Sequence, residues 1–261
     1  MIHPSLLFMT SNHYRHKYIS NVLADGFDLK GIVIEPKLKS NIKNTKTESL
    51  FDDHFDHRRD SEIHFFKKPS FPNTNMIKID KGKINSPKVF KFVKEISPDL
   101  IILFGTSIIK SPLLSNFKNK IINVHLGLSP YYRGSGTNLW PLFNNEPECV
   151  GATVHLAEEL VDAGKILHQI RPDINKNDNI HGIGNKTILA LAKDINRVIF
   201  GYYDGTIKPV NQLIGKKVYK KSDFSEQTLF TITKNFKNGM LSKYIANQKS
   251  IDDKKPIVKA F

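Results

Sequence analysis

Two polar side chains stand two residues apart in the apolar run Ile121-Ile122-Asn123-Val124-His125-Leu126, and the turn Gly127-Leu128-Ser129-Pro130-Tyr131-Tyr132-Arg133-Gly134 follows at once. In an extended strand residues i and i+2 share a face, so Asn123 and His125 project together while Ile122, Val124 and Leu126 project the other way. An amide beside an imidazole sets a hydrogen-bond donor next to a group that titrates near neutrality. Such a pair reads as part of an active site. A carboxylate would complete it by favouring the charged form of the imidazole. Asp162 is the candidate, in an acidic loop between a second strand at 151–156 and a third that begins near Ile166.

The wider pattern is ordered. Asn-x-His is followed by Leu128-Ser129-Pro130-Tyr131-Tyr132-Arg133-Gly134, then Gly151-Ala152-Thr153-Val154-His155, then Val161-Asp162-Ala163-Gly164-Lys165-Ile166-Leu167. In this order the blocks resemble the formyltransferases that use N10-formyltetrahydrofolate as donor. That family includes glycinamide ribonucleotide transformylase, the catalytic domain of methionyl-tRNA formyltransferase and nucleotide-sugar N-formyltransferases. The resemblance is dense over residues 85–175 and looser outside them. It implies a catalytic trio at Asn123, His125 and Asp162.

Physical chemistry gives each of the three a role. An amine attacking a formyl carbon builds a tetrahedral oxyanion, and a preorganised donor aimed at that oxygen is the largest available assistance. The Asn123 amide and a protonated His125 would supply it. The attacking nitrogen loses a proton and the folate nitrogen gains one, which suits an imidazole tuned by Asp162. The scheme needs no metal and no covalent protein intermediate.

The resemblance also implies a donor site. Ser97-Pro98 ends a helix, and 100–104 reads as a buried parallel strand closing on a glycine, beyond whose carboxyl end ligands bind in open α/β sheets. The pterin is expected against Leu103, Phe104, Gly105, Thr106, Ser107 and Ile108 and against Val161 in the acidic loop, held largely by backbone groups. Residues 100–104 are core as well. For the amine acceptor the candidates are Tyr14, Arg15, Tyr132 and Arg133; Tyr14 also reads as core and Arg133 as a loop brace. His155 is weighed as a hydrogen-bond partner of the site and left out of the catalytic set.

The elements that must position these groups follow from periodicity. A strand at 5–10, a helix at 13–23 with Tyr14, Tyr18 and Val22 on one face, and a strand at 29–34 make a β-α-β opening, from which a parallel sheet follows. The turn at 10–16 has no glycine, so a Gly-x-Gly-x-x-Gly dinucleotide loop is absent, and so is the glycine-rich phosphate loop of ribonucleotide transformylases. Residues 37–84 read as a polar insertion. Its acid and histidine run 52–60 reads as a solvated helix in preference to a metal site. Asn85-Ser86-Pro87 starts a helix, Asp178 or Asn179 caps a long one with Ile188, Leu191, Ile195 and Ile199 on one stripe, and Ser225 caps another carrying Leu229, Ile232 and Phe236. A short strand is expected at 217–219.

Length and composition bound the answer. The 261 residues suffice for one α/β core plus an appendage, here a catalytic domain at 1–205 and a mainly helical extension at 206–261. One cysteine, Cys149, excludes an internal disulfide framework and fits a reducing cytoplasm. No apolar run reaches membrane-span length, and the first residues lack a signal-peptide pattern. A net charge of +14 invites a nucleic-acid reading, yet the lysines are spread through loops and tail with no recognition motif.

The expected fold is therefore an open, mostly parallel twisted α/β sheet flanked by helices, formyltransferase-like and Rossmann-related, with a small α-rich C-terminal extension. The expected activity is transfer of a formyl group from N10-formyltetrahydrofolate to a primary amine, with a nucleotide-linked amino sugar as acceptor. A hydrolase of formyltetrahydrofolate, a glycinamide ribonucleotide or methionyl-tRNA formyltransferase, and last a nucleic-acid-binding module are the alternatives. The tail is too helical to read as the five-stranded barrel of the tRNA-modifying branch. A homodimer through that tail is compatible with the sequence, and no membrane partner is expected.

Overall fold

The computed structural model describes residues 3–37, 50–213 and 217–261. The chain opens with β1 (Ser5–Thr10), α1 (Tyr14–Gly26) and β2 (Asp28–Ile34). Every residue of β1 is buried, the mark of a strand covered on both faces. Next come α2 (Leu50–Phe66), β3 (Asn75–Lys78), α3 (Pro87–Ile96), β4 (Leu100–Phe104) and α4 (Leu113–Asn116). Pro87 takes the first helical position of α3, where its missing N–H is harmless, and Ser97 ends the helix in the left-handed region. Then follow β5 (Ile121–His125), β6 (Arg133–Gly134), α5 (Trp140–Phe143), β7 (Ala152–Leu156), β8 (Ile166–Ile170) and α6 (Ile180–Tyr203). Asn179 caps α6 by accepting from the N–H groups of His181 and Gly182 at 3.1 and 2.8 Å. The chain continues through β9 (Val218–Tyr219), α7 (Glu226–Lys237), α8 (Met240–Ala246) and α9 (Gln248–Asp252).

Among the described residues seven strands form one sheet in the order β3-β2-β1-β4-β5-β7-β8. All pairings are parallel except those of β7, which runs against both neighbours. Leu6, Phe8, Ile32, Phe104, Ile122 and Val124 face one side and pack with Ile19 and Leu23 of α1 and Leu191 and Ile195 of α6. Leu7, Met9, Val33, Ile101 and Leu103 face the other and meet Val89 and Val93 of α3. The open, helix-flanked α/β sheet and its helical extension are as the sequence predicts. Among the described residues no helix is long and apolar enough to cross a membrane.

The strand order reverses between β1 and β4, one path leading out to β2 and β3 and the other to β5. At such a point the carboxyl ends of adjacent strands open a crevice.

The segment expected as a polar insertion does more than its composition indicates. Most of its lysine-bearing 37–44 run lies outside the described residues. Beyond it, α2 buries Phe66, His54 and Glu62, with Phe66 stacked on Tyr18 at 5.0 Å, and β3 joins the sheet as its edge strand. The sequence of β3, Asn-Met-Ile-Lys, shows no alternation because both of its faces are largely exposed.

Candidate active site

The antiparallel pairing of β5 with β7 sets Asn123 opposite His155 and His125 opposite Thr153. Opposed residues share a face, so four polar side chains form a patch on an otherwise apolar sheet. Thr153 Oγ1 donates to the Gly127 carbonyl at 2.7 Å and accepts from Ser129 N–H at 3.0 Å, which fixes the turn behind His125. Gly127 is needed there, because a Cβ would lie 2.6 Å from His125 Nε2.

Asp162 reaches this patch from the loop between β7 and β8, with φ 49°. Aspartate enters that left-handed region more readily than bulky side chains do. Its Oδ2 lies 3.2 Å from His125 Nδ1 and accepts from Gly134 N–H at 2.9 Å. Its Oδ1 accepts from Asn123 Nδ2 at 3.2 Å and lies 3.5 Å from His155 Nε2. Burial alone would raise this carboxyl; His125, His155 and the Gly134 N–H outweigh it and hold Asp162 well below the usual carboxylate range.

His125 stands between two acceptors, Asp162 at Nδ1 and the Tyr132 carbonyl, 2.9 Å from Nε2. Burial pulls the imidazole below its ordinary value, and the Asp162 charge and the Tyr132 carbonyl oppose that pull. In the neutral ring one nitrogen faces an acceptor with no hydrogen between them. A proton taken up there completes a hydrogen bond, so this buried ring can accept a proton and return it.

His155 joins the site. Its Nδ1 faces the Leu156 carbonyl at 2.8 Å, and its Nε2 lies 3.0 Å from Asn123 Nδ2. The Asn123 amide nitrogen thus faces both Asp162 and His155.

The other expected site residues divide into groups. Leu103 and Phe104 are core, Gly105 turns the chain with φ 78°, and Ile108 in the loop after β4 is 55% exposed. The acidic loop exposes Leu160 and half-buries Val161. Arg133 is buried and donates from Nε and Nη2 to the Val161 carbonyl at 2.9 and 2.6 Å, bracing the loop of Asp162. Tyr132 is buried too, stacked on Tyr219 with its hydroxyl bonded to Glu146. Tyr14 and Arg15 begin α1, beyond β1 and two strands from β5. Tyr14 packs against the core, and Arg15 is buried in an ion pair with Glu62 of α2. Burial, then Arg58, lowers that guanidinium to about 9 against the pull of Glu62.

Among the buried acids that escaped the sequence reading, one braces the loop after β4. Glu35, just past β2, accepts from Gly82 N–H and Ser107 N–H, each at 2.7 Å, and so anchors the loop after β4. Its only sequence cue was a charged residue at a strand end before Pro36. Among the described residues no three His, Cys, Asp or Glu side chains converge to hold a metal ion. Within the 52–60 run, His54 packs on the His181 ring at 4.7 Å.

A profile of the family described as Formyl transferase matches residues 52–198. The methionyl-tRNA formyltransferase of Bacillus velezensis is 24% identical over 224 residues, covering 85% of this chain and 65% of that protein, so the chain spans less than two thirds of that relative. In fold the chain is similar to a phosphoribosylglycinamide formyltransferase from Anaplasma phagocytophilum, with a TM-score of 0.58, 13% identity and coverage of 83% of this chain and 97% of that one. It is also similar to a formyltransferase from Anoxybacillus kamchatkensis, solved in complex with UDP-4,6-dideoxy-4-formamido-L-AltNAc and tetrahydrofolate. There the TM-score is 0.53, with 19% identity and coverage of 80% and 95%. The profile match takes in β5, β6, β7 and the Asp162 loop, the elements that build the polar site, and the chain belongs to the formyl transferase family.

Proposed function

We propose that this protein transfers a formyl group from N10-formyltetrahydrofolate to a primary amine, and that the amine belongs to a nucleotide-linked amino sugar. The observation that carries the first part is the contact set of Asp162 with Asn123, His125 and the Gly134 N–H at the carboxyl end of β5. The donor supplies the activated formyl carbon. Leu103 to Ile108 and Val161 hold its pterin, largely through backbone groups. His125, steadied by Asp162 at Nδ1, exchanges the Tyr132 carbonyl at Nε2 for the attacking amine, takes the proton that the amine loses and carries it toward the folate nitrogen. Asn123 faces the formyl oxygen once it exchanges one of its two internal hydrogen bonds for it.

The sugar acceptor is supported by the likeness to a structure solved with a UDP-linked formamido sugar, and by an extension at 206–261 whose described residues form helices and a two-residue strand. Methionyl-tRNA is a second reading, favoured by the methionyl-tRNA formyltransferase relatives and by the net charge of +14. Release of tetrahydrofolate in the presence of nucleotide-linked amino sugars, set against charged initiator tRNA, separates the two. The proposed catalytic and substrate-binding residues all lie within residues 1–205 in this account.

A further inference from the structure

The loop that presents Asp162 is gripped by a residue from outside the catalytic sheet. Gln212 Nε2 donates to the Asp162 carbonyl at 3.2 Å and to the Gly164 carbonyl, on either side of Ala163 and just after the left-handed Asp162. Gln212 Oε1 is buried with no donor among the described residues. Turned over, the amide would set oxygen against two carbonyls, so the backbone of this loop alone fixes its orientation.

The same extension holds the other partners of the site. β9 pairs in parallel with β6, Arg133 beside Val218 and Gly134 beside Tyr219, and the Tyr219 ring stacks on Tyr132 at 5.6 Å and Trp140 at 4.8 Å. From this two-residue ribbon come the Gly134 N–H that meets Asp162 Oδ2 and, one residue earlier, the Tyr132 carbonyl that meets His125 Nε2.

We infer that Gln212 is a positioning residue that holds the Asp162 loop so that its carboxylate meets His125, which makes the C-terminal extension part of the active site. The effect on turnover rests on the proposed formyl transfer; the effect on His125 does not. Three charged or titratable groups face His125: Asp162 from the loop, His155 from β7 and Arg133 from β6. Of these three only Asp162 raises the imidazole's pKa, as the Tyr132 carbonyl does beside them. A loosened loop therefore leaves that carbonyl alone against burial, His155 and Arg133, and the pKa falls.

Gln212→Met keeps the side-chain length, removes the donor and removes the orphaned oxygen as well, so stability should change little. The test is an NMR titration of the His125 ring in the full chain, for wild type, Gln212→Met, Gln212→Ala and the exposed neighbour control Asn211→Ala. The expected result is a lower His125 midpoint in both Gln212 variants and an unchanged one in the control. Alongside it, kcat falls about ten- to hundredfold with KM for the donor and the melting temperature nearly unchanged, as expected when a reacting group is misplaced. An unchanged His125 midpoint, or a rate loss that only tracks a lower melting temperature, overturns the inference. Absence of any formyl transfer in wild type would count against the proposed activity and leave the titration to decide this point.

Discussion

Replacing Asp162 with asparagine keeps the shape and removes the charge. One carboxylate oxygen faces His125 Nδ1 at 3.2 Å and Gly134 N–H at 2.9 Å; the other faces Asn123 Nδ2 at 3.2 Å and His155 Nε2 at 3.5 Å. An amide offers one acceptor, so either way it turns its NH2 group confronts a donor. Loss of one charge-assisted hydrogen bond is worth about 2 kcal/mol, or a Tm decrease of roughly 4 to 8 °C for a chain of this length. The sign of the pH dependence follows from the folded carboxyl lying below its unfolded value, where His125, His155 and Gly134 together outweigh the raising effect of burial. Its stabilisation is present above the ordinary carboxylate pKa and is lost as the pH falls toward the folded value. The deficit of Asp162→Asn is therefore full at pH 7 and smaller at pH 3. Formyl transfer should fall at least about a hundredfold, because the His125 imidazolium loses its partner. Tetrahydrofolate formation measured between pH 6 and 8, with thermal melts at pH 7 and 3, reads both effects. Near-native turnover, or a deficit that grows on acidification, would refute the reasoning.

Gly127→Ala would put a Cβ 2.6 Å from His125 Nε2 and 2.7 Å from Thr137 Cβ, so activity should drop at least about tenfold with a stability loss of about 1 to 3 kcal/mol. Gly184→Ala in α6 meets nothing within 4 Å and should leave activity alone while stabilising by about 0.5 to 1 kcal/mol; equal rates in the two variants would contradict the placement of His125. Glu62→Gln leaves Arg15 buried and uncompensated, at a cost of about 3 to 5 kcal/mol in denaturant unfolding, and adding Arg15→Met should restore most of it. A Glu62→Gln loss under about 1 kcal/mol would show that the pair does not join α1 to α2 as described.

What the sequence made legible was local. Asn123 and His125 share a face by the two-residue period of β5, and the runs Leu6–Met9 and Leu100–Phe104 are continuously apolar because both faces of the sheet are covered there. Asp162 entered through its place in an ordered set of motifs, and the structure brings it against both partners. His155 was harder to place because its contact with Asn123 depends on the register of an antiparallel pair, which no local pattern specifies. Glu35 and Gln212 act on backbone groups 47 and 50 residues away, and nothing around them in sequence reveals those partners. Arg15 drew attention as a cation in a loop before a helix. Its partner Glu62 sits in a mixed-charge segment that reads as solvated, and only the packing of α2 on α1 and α6 turns that carboxylate inward.

The most direct test is tetrahydrofolate release from N10-formyltetrahydrofolate by the full chain, with and without a panel of nucleotide-linked amino sugars. The account predicts release that requires the panel and is abolished in Asp162→Asn. Equal release without any amine would contradict it in favour of hydrolysis, and release only with charged initiator tRNA would keep the chemistry and replace the acceptor.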